Sequence, residues 1–295
     1  MNAVPGLVLA LGGGGARGLA HLGVLQVLER EGIPVLGIAG TSMGGLLGAL
    51  YAASVPLDVI ETTIAETAKP TELLSMLGIS KSGISVRGQK LYALLVEALG
   101  GDLTFDELRF PLALVAADLR SGQRVVLDDR GVVDAVRATI AIPGVFEPVE
   151  RQGPGRLSMQ LIDGGVLDNL PVGAARALAP ALGGSESGRD GASVVAVDVL
   201  PCFDENHLGD EPIVLPLELG PVPEVFSTLL QTGMMAIAGM TSLRLQLEPA
   251  DLVLRPEIAP SITILTGFDQ AEDVVAAGRK AAEARLPELR RLAGM

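Results

Sequence analysis

The chain has 295 residues, 22 Lys and Arg against 35 Asp and Glu (formal net charge −13), and 48% apolar but only 19% charged residues, so it can fill a core and is not intrinsically disordered. The acidic balance argues against nucleic acid as a partner, because that needs basic patches to displace counterions, and against electrostatic docking on anionic lipid. One cysteine, Cys202, excludes an internal disulfide framework, two histidines exclude a His-rich metal site, and 3% aromatics without Trp exclude a base-stacking platform, so no metal or cofactor is expected.

In chain order, Met1 to Leu11 has no basic n-region and runs straight into glycines, unlike a secretory signal, so a cytoplasmic location is expected. Short apolar runs bounded by turn residues predict strands at Leu7–Leu11, Val35–Ala39, Leu112–Ala117, Arg124–Leu127, Gln160–Ile162 and Val194–Val199. Helices are predicted over Gly18–Glu31, Met43–Ala53, Gln89–Leu99, Val132–Ile140, Val172–Leu178 and Ala271–Leu292. The last is the clearest: Ala271, Val274, Val275, Gly278, Ala281, Ala282, Leu286 and Leu289 form one apolar stripe, with Asp269 as its expected N-cap. The uncharged run Gly32 to Leu57 is long enough to span a bilayer, but its glycines and prolines break it into strand, turn and helix. Val225 to Leu243 carries too many hydroxyl and amide side chains for a spanning helix. Alternating strands and helices predict an α/β fold with a largely parallel central sheet, in one domain over 1–295, with an exposed polar loop at 180–193.

Three motifs carry chemistry. Gly12-Gly13-Gly14-Gly15-Ala16-Arg17-Gly18 follows a strand and opens a helix. It formally matches a dinucleotide fingerprint, but the next strand ends in Ala39-Gly40-Thr41-Ser42 and lacks the acidic residue that holds a ribose. A glycine loop at a helix N-terminus equally suits a developing anion. Gly40-Thr41-Ser42-Met43-Gly44 has the G-x-S-x-G form between strand and helix, where small flanking residues at Gly40 and Gly44 allow a tight elbow that lifts a serine hydroxyl. The plain alternative is Ser42 as an N-cap. For a base, His207 lies in a polar loop and His21 in the first turn of the glycine-loop helix, neither recognisably placed. Asp163, ending an apolar run before Gly164-Gly165, is the better candidate, against the plain reading of a turn aspartate.

GGGGARG, GTSMG and DGG in this order resemble the patatin-like phospholipase family, as do Ala138–Phe146 (ATIAIPGVF) and Asp168-Asn169-Leu170-Pro171-Val172. The resemblance covers Leu7 to Arg176, the expected catalytic core, and more loosely Leu252 to the C-terminus, with 177–295 completing the same domain. It implies a three-layer α/β/α fold and an acyl hydrolase working through a Ser–Asp dyad without histidine. Carried over, Ser42 is the nucleophile, Asp163 the base, and Gly13, Gly14, Gly15 and Arg17 the oxyanion site. Gly12 departs from members with Asp at that position. Asp168 and Asp198 fall outside the family's base position and are expected to be structural. The substrate implied is a lipid ester of the phospholipid or lysophospholipid class. The rivals are an α/β-hydrolase using His207, a nucleotide-binding module, and a patatin-like protein that binds a partner without turnover.

The stretch 211–243 begins with Pro-rich loops and becomes an uncharged helix-like run holding Met234, Met235 and Met240. A core helix packed through Gly233, Ala236 and Gly239 is slightly favoured. The alternative is a pliable cover over Ser42 that makes transient contact with a membrane surface.

Overall fold

The computed structural model describes residues 5–67, 85–143, 145–153, 158–178, 192–201, 224–264 and 266–295. The strands are β1 (Leu7–Leu11), β2 (Val35–Thr41), β3 (Leu112–Asp118), β4 (Gln123–Leu127), β5 (Val149–Gln152), β6 (Ser158–Asp163), β7 (Ser193–Val197) and β8 (Leu252–Leu254). They form one sheet in the order β5-β6-β3-β2-β1-β7-β8, with β4 also on β3. The five strands β3, β2, β1, β7 and β8 run parallel, whereas β4, β5 and β6 join antiparallel. The sheet is therefore mostly parallel, as the alternation of elements predicts.

The helices are α1 (Ala20–Arg30), α2 (Met43–Ala52), α3 (Leu57–Thr67), α4 (Ser85–Leu99), α5 (Val132–Thr139), α6 (Gly165–Asp168), α7 (Val172–Leu178), α8 (Glu224–Leu247), α9 (Ala271–Ala284) and α10 (Leu286–Leu292). Every residue of β1 is buried, because helices cover both faces. Leu7, Leu9 and Leu11 point into a core shared with α1, α2, α5 and α9. Val8 and Ala10 point the other way, into a smaller core with α7. Successive side chains of the strand thus serve opposite faces of the sheet.

Several sequence expectations shift by local physics. The final helix is two: it breaks at Arg285, because Pro287 has no N–H to continue the ladder and instead starts α10. Asp269 sits in a one-turn 3₁₀ segment, Phe268–Gln270, so it is not the N-cap; Gln270 takes that position, without a side-chain bond. The glycine-loop helix begins as a 3₁₀ turn, Gly15–Leu19, before α1. The strands β5 and β8 and the helices α3 and α6 have no counterpart among the predicted elements. Residues 180–191 of the polar loop lie outside the described residues, and Ser193 already belongs to β7.

β3 sets the positions of the chemically important chain ends. On one side Thr41 of β2 pairs with Val115; on the other Asp163 of β6 pairs with Ala116. The ends of β2 and β6 thus arrive at adjacent positions of a single strand. The glycine loop leaves β1 beside them, where connections depart to opposite sides of the sheet: β2 on one flank and β7 on the other. Crevices at such a point are the usual ligand sites of open α/β sheets.

Candidate active site

Ser42 is the single residue between β2 and α2, and it has φ 52 and ψ −124. Non-glycine residues rarely adopt positive φ, and one held there is over-determined by its surroundings. Two contacts supply that constraint. The Ser42 N–H donates to Thr139 Oγ1 at 3.0 Å, and the Ser42 carbonyl accepts from Leu46 N–H at 2.9 Å. Gly44 makes the turn passable: a Cβ there would stand 2.3 Å from the Leu11 carbonyl oxygen, and one at Gly40 would stand 2.6 Å from Gly45 Cα. Ser42 forms no side-chain cap to α2, which removes the plain N-cap reading and leaves its hydroxyl for other contacts.

The hydroxyl interacts with the Asp163 carboxylate. Asp163 is buried at the end of β6, its N–H donating to the Ala141 carbonyl at 2.9 Å and its Oδ1 accepting from Gly165 N–H at 2.8 Å. Burial pushes its carboxyl up to about 6, and the hydrogen bonds from Ser42 and Gly165 only partly offset this. Such a group is ionised near neutral pH yet basic enough to take a proton.

The glycine loop divides into two kinds of residue. Gly14 and Gly15 line a cavity with Ser42 and Asp163, and no acceptor among the described residues takes their N–H groups. Gly15 has φ +54, and a Cβ on it would stand 1.9 Å from the Ile264 carbonyl oxygen, so only glycine fits. Gly13 differs from the expectation that groups it with the anion donors, because its N–H is committed to the Asn169 carbonyl at 3.0 Å. Arg17 differs more. Its guanidinium is buried and turned into the protein, where Nε donates to the Val199 carbonyl at 2.7 Å and Nη1 to the carbonyls of Ile262 and Ala259 at 3.0 and 3.4 Å. Burial lowers its pKa to about 10, partly offset by Asp198, so it stays charged at neutral pH. It anchors the loop and does not line the cavity.

His21 is fully buried in α1, with Nε2 2.7 Å from the Gly12 carbonyl; burial lowers it to about 4, so it is neutral and donates to that carbonyl. It lines no part of the cavity. His207 lies outside the described residues. Asp168 pairs with Arg124 at 2.5 Å and Asp198 with Arg255 at 3.4 Å, and neither carboxylate lines the cavity.

The cavity has a volume of about 230 Å³. Its walls are Ile142, Pro143, Val166, Leu200, Met234, Ile237 and Ile264, its floor is Ser42, Asp163, Gly14 and Gly15, and Asp163 is its only ionisable lining group among the described residues. The chamber is largely apolar, with polar groups converging at one end. Gly233, Met234 and Ile237 come from α8, while Met235, Leu243 and Leu247 of the same helix are exposed. The expected core helix is therefore a wall of the cavity with an uncovered outer face. Among the described residues, a Cβ at Gly233 or Gly239 would meet nothing within 4 Å, so neither glycine packs closely against them.

Two supporting residues, Thr139 and Asn169, lie inside the stretches 138–146 and 168–172 that carry the family resemblance, but no role is assigned to them there. Thr139 holds the Ser42 N–H, and Asn169 holds Gly13 from both sides, with Nδ2 donating to the Gly13 carbonyl at 3.1 Å. Among the described residues there is no cluster of His, Cys, Asp and Glu that could hold a metal, and no helix long and apolar enough to cross a membrane.

The family model for patatin-like phospholipase matches residues 9–176, and the chain belongs to that family. An uncharacterised NTE family protein of Mycobacterium tuberculosis is 41% identical over 191 residues, covering 62% of this chain and 51% of the relative. Human patatin-like phospholipase domain-containing protein 6 is 33% identical over 174 residues, covering 58% of this chain and 12% of that protein. The chain thus spans about half the length of the mycobacterial relative and a smaller share of the human one. The crystal structure of VipD from Legionella pneumophila has the same fold, with a TM-score of 0.51 at 16% identity, covering 96% of this chain and 67% of that one.

Proposed function

We propose that the protein is a serine acyl hydrolase that cleaves lipid esters with a Ser42–Asp163 dyad. Asp163 takes the Ser42 proton as Oγ attacks the ester carbonyl carbon, and the carbonyl electron pair moves onto its oxygen. The N–H groups of Gly14 and Gly15 receive that oxyanion. Collapse of the tetrahedral intermediate expels the alcohol, which takes the proton from Asp163 and leaves an acyl-serine. Water, deprotonated by Asp163, then releases the fatty acid and restores the hydroxyl. The apolar walls take the acyl chain, and among the described residues no lining cation selects a phosphate inside the cavity. The substrate class is phospholipid or lysophospholipid, with the headgroup outside the chamber. The enzyme works from the cytoplasm in transient contact with a membrane, where the exposed apolar side chains of α8 meet the lipid.

One observation carries the reading: a serine at a strained positive-φ turn faces a buried, raised-pKa carboxylate at the floor of an apolar cavity. A fluorophosphonate probe followed by peptide mapping tests it. Label on the Ser42 peptide, lost in a folded Ser42→Ala variant together with p-nitrophenyl ester hydrolysis, is the expected result. Label on another serine overturns it.

A further inference from the structure

The segment Thr139–Pro143 touches both halves of the proposed dyad, yet none of its side chains takes part in the proposed chemistry. Thr139 Oγ1 accepts the Ser42 N–H at 3.0 Å and donates its own proton to the Val115 carbonyl at 2.5 Å. Both hydrogen-bonding directions of the hydroxyl are thereby used, and the residue is fully buried. Two residues on, the Ala141 carbonyl accepts the Asp163 N–H at 2.9 Å. Ile142 and Pro143 then continue as cavity wall. A single short stretch leaving α5 therefore grips the backbones of Ser42 and Asp163, and its anchor on β3 is Val115, the residue that pairs with Thr41.

We infer that Thr139 is the positioning residue that sets Ser42 against Asp163, and that the stretch from Thr139 to Ala141 acts as the spacer between them. The inference rests on the Ser–Asp hydrolase reading. Without the Thr139 hydroxyl, the Ser42 amide has no partner and the Val115 carbonyl loses one, and both lie in a buried site. The positive φ at Ser42 then has one less restraint, and the turn relaxes toward an ordinary helix start, carrying Oγ away from the carboxylate. The same bond removes the Ser42 N–H from the set of anion donors, leaving the Gly14 and Gly15 amides.

Thr139→Val keeps the shape and the methyl group packed near Gly45 while deleting the hydroxyl. Displacement of a reacting group by about 1 Å costs up to roughly 100-fold in rate. The expected result is that both kcat on a p-nitrophenyl ester and the rate of fluorophosphonate labelling at Ser42 fall about 10- to 100-fold per folded molecule, with KM unchanged. Thr139→Ser, which restores the hydroxyl, should recover most of that loss. Labelling of Thr139→Val at the wild-type rate, or a Thr139→Ser variant as impaired as Thr139→Val, overturns the inference. If Thr139→Val does not fold, Thr139→Cys carries the comparison: its thiol accepts hydrogen bonds weakly, so it must label more slowly than Thr139→Ser, and equal rates overturn the inference. Wild-type protein that takes no label at Ser42 overturns the hydrolase reading and this inference with it, whereas labelled wild type beside an unaffected Thr139→Val overturns this inference alone.

Discussion

Asn169 satisfies both backbone polar groups of Gly13, its carbonyl accepting the Gly13 N–H at 3.0 Å and its Nδ2 donating to the Gly13 carbonyl at 3.1 Å. The pair links the glycine loop after β1 to the turn after β6, so the proposed anion donors and the proposed base share one brace. Asn169→Asp keeps the size but places a carboxylate oxygen against the Gly13 carbonyl. The glycine loop should tilt, and kcat should fall about 10- to 100-fold with little change in KM. Steady-state kinetics on a soluble ester checks this; a change confined to KM would assign Asn169 to substrate binding instead.

Asp163 gives a pH signature of definite sign. Its folded-state pKa is raised from 3.8 to about 6, so the native protein binds more protons than the unfolded chain between those values. Stability contributed by this group is full below pH 3.8 and declines as pH rises through 6. Asp163→Asn should therefore stabilise the protein above pH 6 by about 1–3 kcal/mol while lowering turnover by orders of magnitude. In the wild type, kcat/KM should climb through about pH 6 and level off above it. Urea titrations and a pH–rate profile test both halves.

Neutral His21 contributes the opposite slope. Its pKa falls from 6.5 to about 4 on folding, so between these values the unfolded chain holds more protons and stability drops as pH falls. His21→Gln, which can still donate to the Gly12 carbonyl, should flatten that drop between pH 6.5 and 4. Denaturation midpoints across this range provide the check, and an unchanged slope would mean that the drop has another source.

Arg17 is best tested as an anchor. Arg17→Met fills similar space but leaves the carbonyls of Val199, Ile262 and Ala259 without their donor. The expected cost is about 2–4 kcal/mol of stability. Activity should fall only as far as the glycine loop loosens. A variant of undiminished stability that loses kcat would return Arg17 to a direct role at the oxyanion.

The two faces of α8 should separate by substrate. Met235 and Leu247 are 62% and 81% exposed, whereas Met234 and Ile237 line the cavity. Met235→Asp with Leu247→Asp should depress hydrolysis of lipid in vesicles while sparing a short soluble ester, and added salt should change little because the contact is apolar. Met234→Ala with Ile237→Ala should instead raise KM for long-chain esters. Equal loss on both substrates from the outer-face variant would mean that the face serves the fold.

The parts legible in the sequence are those whose geometry is local. Gly40 and Gly44 around Ser42, and Gly15 in the loop, are required by close backbone approaches at tight turns, so the residue type itself reports the shape. The side chains of Thr139 and Asn169 reach partners 97 and 156 residues away, and nothing adjacent to them announces the bond. Arg17 misleads for the same reason: its charge stands among glycines suited to an anion, but its acceptors lie 182 to 245 residues on. β5, with the polar sequence Val149–Gln152, exists by pairing with β6 and carries little apolar pattern of its own, whereas β8 is the apolar Leu252–Leu254, only three residues long and too short to stand out as a run. In α8 the uncharged run suggests a core helix, because composition records apolarity but not which side of a helix is covered.

Arg17 also bears on where the family segment could be cut. Residues 9–176 match the family, yet the carbonyls that hold Arg17 and the strands β7 and β8 all come later in the chain. β1 pairs with β7 along its whole length, from Leu7 with Ser193 to Leu11 with Val197. An excised 9–176 fragment would carry a raw hydrogen-bonding edge on its central strand, inviting edge-to-edge aggregation, beside a guanidinium stripped of its acceptors. The limit of the family match is thus not a limit of autonomous folding, and the proposed catalytic site is not a cassette that can be transplanted without the residues that follow 176.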